Sequence, residues 1–392
     1  MARGPALTRR VAHGRARAVI PISRPYLGDE EARAVEQALA SGWVAQGPRV
    51  EEFERRFAAF SGVAHAVAAT SCTTALHLAV AALGAGPGDE VVVPAFTWIA
   101  TANAVAYTGA RPVFCDVSLD TFNLDAEALA AAVGERTVGL LPVHLFGLAA
   151  DMAAVAAVAG RHGLWVVEDA ACAVGTRQAG RHAGAFGDAG CFSFHPRKTL
   201  TTGEGGMLVT GDAGLAGRAR SLRDHGSSRS GHTRHAASRA FELADHDVLG
   251  FNYRMTDVQA AIGCAQLERA DWLLAERARL AARYGEGLAG VEWLRLPSTP
   301  EGETHGWQSY VCLTRGIDRD ALMATLEEEG IATRPGTHAP PETSAYGGRT
   351  GEFPNAHLAA RLSLALPLYA GLTDAEQDRV IEALATAQPR RT

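Results

Sequence analysis

A chain of 392 residues is long enough for a large core and for two domains. Hydrophobic residues make up 47% and charged residues 20%, the profile of a soluble globular protein, and a net charge of -6 argues against nucleic acid or a membrane surface as partner. No apolar run approaches the roughly 18–20 residues of a membrane span, and six scattered cysteines without a C-x-x-C pair point to free thiols in a reducing, cytoplasmic compartment.

Residues 1–19 (MARGPALTRRVAHGRARAV) hold five arginines and no acid, and read as a disordered basic tail. A twin-arginine export signal would need an apolar stretch after Arg9 and Arg10, and none follows. From Ile20 to about residue 210, apolar strand-like runs alternate with helical patterns. AHAVAAT (64–70), EVVVPAF (90–96), ARPVFCDV (110–117), TVGLLPVHLFG (137–147) and GLWVVEDAA (163–171) are the strands, and alanine-rich helices separate them. This rhythm predicts an α/β fold, a mostly parallel sheet between helices. GCFSF and MLVT extend the series as a hairpin around GEGG (203–206).

Residues 218–247 are polar and read as a long loop. Its histidines (His225, His232, His235, His246) lack the spacing of a metal site. A long helical pattern (255–290), a strand (307–314) and helices at 318–331 and 373–387 follow. The division is a large domain over 20–264 and a smaller C-terminal α+β domain over 265–392.

In an open α/β sheet, ligands bind outside the carboxyl ends of the strands, so the residues delivered there carry the functional argument. The strand LWVVED ends in Asp169, which is either a helix cap or the counter-ion of a buried cationic ring nitrogen. Thr70, Ser71, Thr73 and Thr74 fall where a strand gives way to a helix, as ordinary caps or as an anion cradle. Trp98 follows EVVVPAF, as core or as a platform for a flat heterocycle. A single lysine, Lys198, sits between GCFSF and the glycine-rich turn, with Ser193 five residues before it. Amine, pyridinium partner, ring platform and anion cradle together are what pyridoxal phosphate requires. GAGPG (84–88) follows a helix and precedes a strand, the wrong context for a dinucleotide loop.

EDAA (168–171), SFHPRK (193–198) and GEGG (203–206) resemble the DegT/DnrJ/StrS sugar aminotransferases, members of the fold type I pyridoxal phosphate enzymes. The similarity runs from SRPYLGDEE (23–31) through GWVAQGPRVEEFE (42–54) and GFNYRMTDVQAAI (250–262) to LPLY (366–369). The resemblance implies that Lys198 is the internal Schiff-base lysine and Asp169 the pyridine-nitrogen partner. It implies that Trp98 stacks on the ring and that Thr73, Thr74 and Ser193 hold the phosphate. Asn252 and Arg254 would reach the neighbouring subunit's site in a homodimer. Three departures stand out. Cys172 replaces a common glutamine near the cofactor hydroxyl, SCTT (71–74) replaces S-N-G-T, and RPGTHAPPE places His338 early, with Pro340 and Pro341 where a histidine commonly falls.

The resemblance therefore implies transfer of an amino group from glutamate or glutamine to a nucleotide-linked ketosugar, with a keto-cyclitol as the alternative acceptor. A pyridoxamine-dependent dehydratase of the same fold would carry histidine at position 198. A non-catalytic sensor or scaffold would be expected to lose Lys198 or Asp169, and the chain keeps both.

Overall fold

A computed structural model describes residues 19–227 and 245–391; the basic tail up to residue 18, with His232 and His235, lies outside them. After α1 (Asp29–Ser41) and α2 (Pro48–Ser61), strands and helices alternate. They are β1 (His65–Ala69), α3 (Cys72–Ala82), β2 (Glu90–Pro94), α4 (Ala100–Ala106), β3 (Arg111–Cys115), α5 (Ala126–Ala132), β4 (Thr137–Leu140), α6 (Met152–His162) and β5 (Trp165–Asp169). A small ribbon, β6 (Arg177–Gln178) and β7 (Arg181–His182), precedes β8 (Ala189–Ser193), β9 (Gly206–Thr210) and α7 (Ala213–Arg223).

The seven-stranded sheet has the order β1-β9-β8-β5-β4-β2-β3. β9 pairs antiparallel with both neighbours and every other pair is parallel, so β9 alone is reversed. Both faces are covered, and strand periodicity sorts the side chains between them. Ala66, Ala68, Phe192, Phe194, Met207 and Val209 pack with Phe53 and Phe57 of α2. Val67, Ala69, Cys191 and Leu208, displaced by one residue, join α3, α4 and α7 on the other face.

The C-terminal part contains α8 (Asp257–Glu268), α9 (Ala270–Leu288), β10 (Leu294–Arg295), β11 (Glu303–Thr304), β12 (Tyr310–Thr314), α10 (Arg319–Glu328), α11 (Pro354–Leu362), β13 (Ser363–Leu366) and α12 (Asp374–Thr386). A second sheet, β10-β12-β13, shares an apolar cluster with α9, α10 and α12. Ile20 belongs to that cluster, and its amide donates to the Gly330 carbonyl at 2.8 Å.

Three segments differ from the sequence expectation. The loop expected from residue 218 begins later, because α7 continues to Arg223, capped at its start by Asp212. The run 137–147 is a strand only to Leu140; Pro142 has no amide to donate to a ladder, and the chain turns through Phe146 at φ 59°. The helical pattern 255–290 is two helices, broken at Arg269 (φ -109°, ψ 13°). Among the described residues, no helix is long and apolar enough to cross a membrane.

Candidate active site

Of the 37 lysines and arginines in the chain, Lys198 is the one lysine. It lies in Phe194–Gly205, which connects β8 to β9, and this connection is anchored at its start. The rings of Phe192 and Phe194 pack on Phe57 at 5.0 and 5.3 Å, edge-on. Ser193 between them therefore points to the opposite face, where its hydroxyl accepts from the His195 amide at 3.5 Å. The Lys198 amide donates to the His195 carbonyl at 2.8 Å, closing the turn. Gln308 braces it from outside, donating to the Arg197 carbonyl at 3.1 Å.

β8 and β9 form the antiparallel hairpin expected, joined by this whole connection with GEGG at its end. Its last glycine is required by a close approach. A Cβ on Gly206 would lie 2.2 Å from the Ser71 carbonyl oxygen and 2.5 Å from the Cys72 nitrogen. β9 thus passes directly under the start of α3, next to the anion-cradle residues.

Asp169 ends β5 and is buried. Its Oδ2 accepts the Thr101 hydroxyl at 2.8 Å, and its Oδ1 accepts the Ala171 amide at 3.1 Å. Among the described residues, no basic side chain lies within ion-pair distance of it. Burial pushes its carboxyl above the ordinary value, against the two hydrogen bonds and the nearby Lys198, which pull it down. A carboxylate held there calls for a cation. Thr101 was not legible from the sequence as a site residue; the Thr97–Thr101 spacing of four, just past a strand, is the signal that places both hydroxyls together at 3.1 Å.

Glu168, one residue earlier, faces the other side of β5. It accepts from the Gly184, Phe186 and Gly187 amides at 2.6–2.7 Å and pairs with His144 Nε2 at 2.7 Å. His144 Nδ1 accepts from the Ala150 amide, so its ring proton is on Nε2, toward Glu168. Both lone-pair-rich oxygens are satisfied, and Glu168 braces the strand end rather than serving the site.

At the start of α3, Ser71 and Thr74 cap each other. Ser71 Oγ accepts the Thr74 amide at 3.2 Å, and Thr74 Oγ1 accepts the Ser71 amide at 3.0 Å. Thr74 is thus spent on shaping the helix start, whereas the Thr73 hydroxyl has no partner among the described residues. The first amides of α3 have no intrahelical acceptor, so they point at whatever anion sits there.

Trp98 is 60% exposed, which excludes the core reading. Its ring faces His338 at 5.2 Å, and the Thr97 amide donates to the His338 carbonyl at 3.1 Å. His338 therefore comes to the site despite its early place in the sequence, while Pro340 and Pro341 open a short 3-10 turn beyond it.

Cys172 is brought to Lys198, whose Nζ donates to its sulfur at 3.1 Å. Asn252 is exposed, and Arg254 pairs with Asp224 of its own chain. The Tyr253 carbonyl between them accepts the Thr70 amide at 3.0 Å, so this segment flanks the end of β1 beside the cradle. His246 Nδ1 contacts the His225 carbonyl at 3.1 Å, and no group of residues suited to a metal occurs among those described.

A mixed, mostly parallel sheet between helices, with a smaller α+β region and a lysine beyond a strand end, is the architecture of the fold type I pyridoxal phosphate transferases. The family model of the DegT/DnrJ/EryC1/StrS aminotransferases matches residues 25–385, and the chain belongs to that family. It is 41% identical over 374 residues to the spore coat polysaccharide biosynthesis protein SpsC of Bacillus subtilis (strain 168), covering 93% of this chain and 96% of SpsC. The aminotransferase TlmJ from Streptoalloteichus hindustanus is 38% identical with a TM-score of 0.87, over 94% of this chain and 98% of TlmJ. Spr1654 from Streptococcus pneumoniae, in its PMP form, reaches a TM-score of 0.89 at 29% identity, over the same shares of the two chains.

Proposed function

We propose that this protein is a pyridoxal phosphate-dependent aminotransferase that moves an amino group from glutamate or glutamine to a nucleotide-linked ketosugar. The observation that carries the reading is one strand-end cluster holding the chain's single lysine, an exposed indole and, among the described residues, a buried carboxylate without a cation and a helix start with a free hydroxyl. Those four fit the cofactor's aldehyde, ring nitrogen, ring face and phosphate. When bound, pyridoxal phosphate supplies an aldehyde that captures amines and a ring that stores an electron pair.

The chain's own residues do the rest. Lys198 is the attachment point and, once displaced by the donor amine, the base that moves a proton from the donor's Cα. Asp169, held in place by Thr101 and Ala171, keeps the ring nitrogen protonated, and that cation in turn offsets the cost of its burial. Trp98 supports the ring face. Thr73, the first amides of α3 and Ser193 bind the phosphate, with Thr74 fixing their geometry. Cys172, in contact with Lys198 Nζ, would lie near the cofactor hydroxyl. The site completes in a homodimer, with Asn252 and Arg254 reaching the partner's phosphate.

SpsC's role in polysaccharide biosynthesis supports a sugar acceptor, and lysine rather than histidine at position 198 disfavours a dehydratase. Incubating the protein with glutamate or glutamine and a panel of nucleotide-linked ketosugars and keto-cyclitols, read by product mass, tests the reading. Amination of cyclitols alone would move the acceptor class, and no amination of any keto substrate would refute the proposal.

A further inference from the structure

The contact between Lys198 Nζ and Cys172 Sγ has a chemical consequence that rests on Lys198 as the attachment point. An amine bonds to a carbonyl carbon only when its lone pair is free, so an ammonium in a half-buried site needs somewhere to put its proton. Bulk water is a poor acceptor for a group inside a cleft, and the neighbours are few. Asp169 accepts from Thr101 and Ala171 and makes no ion pair with Nζ among the described residues. The Cys72 thiol points at the Cys191 carbonyl at 3.5 Å. No carboxylate lies within ion-pair distance of Lys198 among the described residues. Among the described residues Cys172 is the one hydrogen-bond partner of Nζ, and it is the only one of the six cysteines that is not buried.

We propose that Cys172 and Lys198 form a single proton-sharing unit, in which the sulfur takes the proton that the amine must lose. In the step, one N–H bond breaks and one S–H bond forms, so that ammonium and thiolate become amine and thiol. The pair is neutral overall on both sides, and no proton crosses to solvent. A free lysine amine holds its proton about two pH units more firmly than a free thiol. Of the two forms of the pair, only ammonium–thiolate carries separated charges, which a low-dielectric site penalises.

The surrounding groups are consistent with this pairing. Burial works against the Lys198 charge, but Cys172, then Cys72 and Asp169, outweigh it and hold the amine above its ordinary value. The remaining titratable neighbour is His195 in the same turn, with Glu204 and Arg197 close to it.

The single lysine makes a direct test available. Full-length protein freed of cofactor and labelled with ¹³C at lysine Cε gives one side-chain lysine signal to titrate. The proposal expects a two-step titration in the wild type, collapsing to one step in Cys172→Ser and Cys172→Ala. The lysine midpoint should move down about tenfold in proton affinity in both variants. Reciprocally, alkylation of Cys172 by iodoacetamide at pH 7 should slow about tenfold in Lys198→Met and persist in Lys198→Arg, which keeps the neighbouring charge. A one-step lysine titration unchanged in both cysteine variants, or equal alkylation in the wild type and Lys198→Met, would overturn it. Borohydride trapping on the wild type separates the two readings. Cofactor trapped on Lys198 with uncoupled titrations defeats the pairing alone, whereas coupled titrations without trapping defeat the aminotransferase reading.

Discussion

Thr101 donates its hydroxyl to Asp169 Oδ2 across 2.8 Å, and the same hydroxyl lies 3.1 Å from Thr97 Oγ1. This arrangement lets an amide replace the carboxylate without a void. In Asp169→Asn, Thr101 can turn its proton to Thr97 and accept from the new NH₂, while Ala171 keeps its acceptor. The Asp169 pKa is raised in the folded protein, so its contribution to stability is full below the unfolded value and is lost as pH rises through the folded one. At neutral pH the buried charge is a burden. Asp169→Asn should therefore unfold at higher temperature than wild type in the cofactor-free form, yet turn over about a hundredfold more slowly. Calorimetry and steady-state rates on the same preparations check both directions, and a helix-cap role alone would leave the rate unchanged.

Two buried histidines set the acid limit of the fold. Burial lowers His182 to about 4 and His305 to about 3. His182 Nε2 accepts the Gly175 amide, and His305 Nδ1 accepts the Trp307 amide, so both rings are built in as neutral. Folded values below the unfolded one mean stability that is complete above about pH 6.5 and is lost as pH falls toward 4 and then 3. At about 1.4 kcal/mol for every tenfold change in proton affinity, each histidine accounts for a few kcal/mol. Urea midpoints measured from pH 7 to 4 should fall steeply, and His182→Gln should flatten the upper part of that fall.

The approach of β9 to α3 is checked by Gly206→Ala. The added carbon would press on backbone at 2.2 and 2.5 Å, which no side-chain rotation relieves. A loss of about 1–3 kcal/mol in stability is expected. Displacement of the Thr73 amide should also weaken retention of the cofactor phosphate, measured by dialysis against buffer.

Much of this site was legible because strand periodicity and strand ends are local properties. The run LWVVED places Asp169 at an edge whatever the rest of the chain does, and FSF puts Ser193 opposite two phenylalanines. Thr101 and Gln308 were not legible as site residues, and His338 was legible only as a histidine placed early in its motif, since each reaches the site through contacts between distant segments. The Thr97–His338 backbone bond and the Gln308–Arg197 bond span more than a hundred residues each. The extent of α7 was missed for a different reason. Arginine and serine make RARSLR look like loop, but Leu215, Ala216 and Ala219 bury one face of that helix.

Shared sites are tested by subunit exchange. Asn252 is exposed, so Asn252→Ala should not disturb its own subunit, while Arg254→Ala removes a pairing with Asp224. In mixtures of inactive Lys198→Ala protein with the inactive double variant, one site of each hybrid carries both defects and the other neither. Partial recovery of activity is expected, and none after verified exchange would place both residues in their own subunit's site.

The central claim is that Lys198 carries the cofactor. Because the chain has no other lysine, one experiment addresses it without ambiguity. The protein is incubated with pyridoxal phosphate, reduced with borohydride, digested and mapped by mass. The account predicts a reduced pyridoxyl-phosphate adduct on the peptide containing Lys198, lost in a folded Lys198→Ala variant that also has no turnover. An unmodified Lys198 peptide, or wild-type turnover in Lys198→Ala, would contradict it.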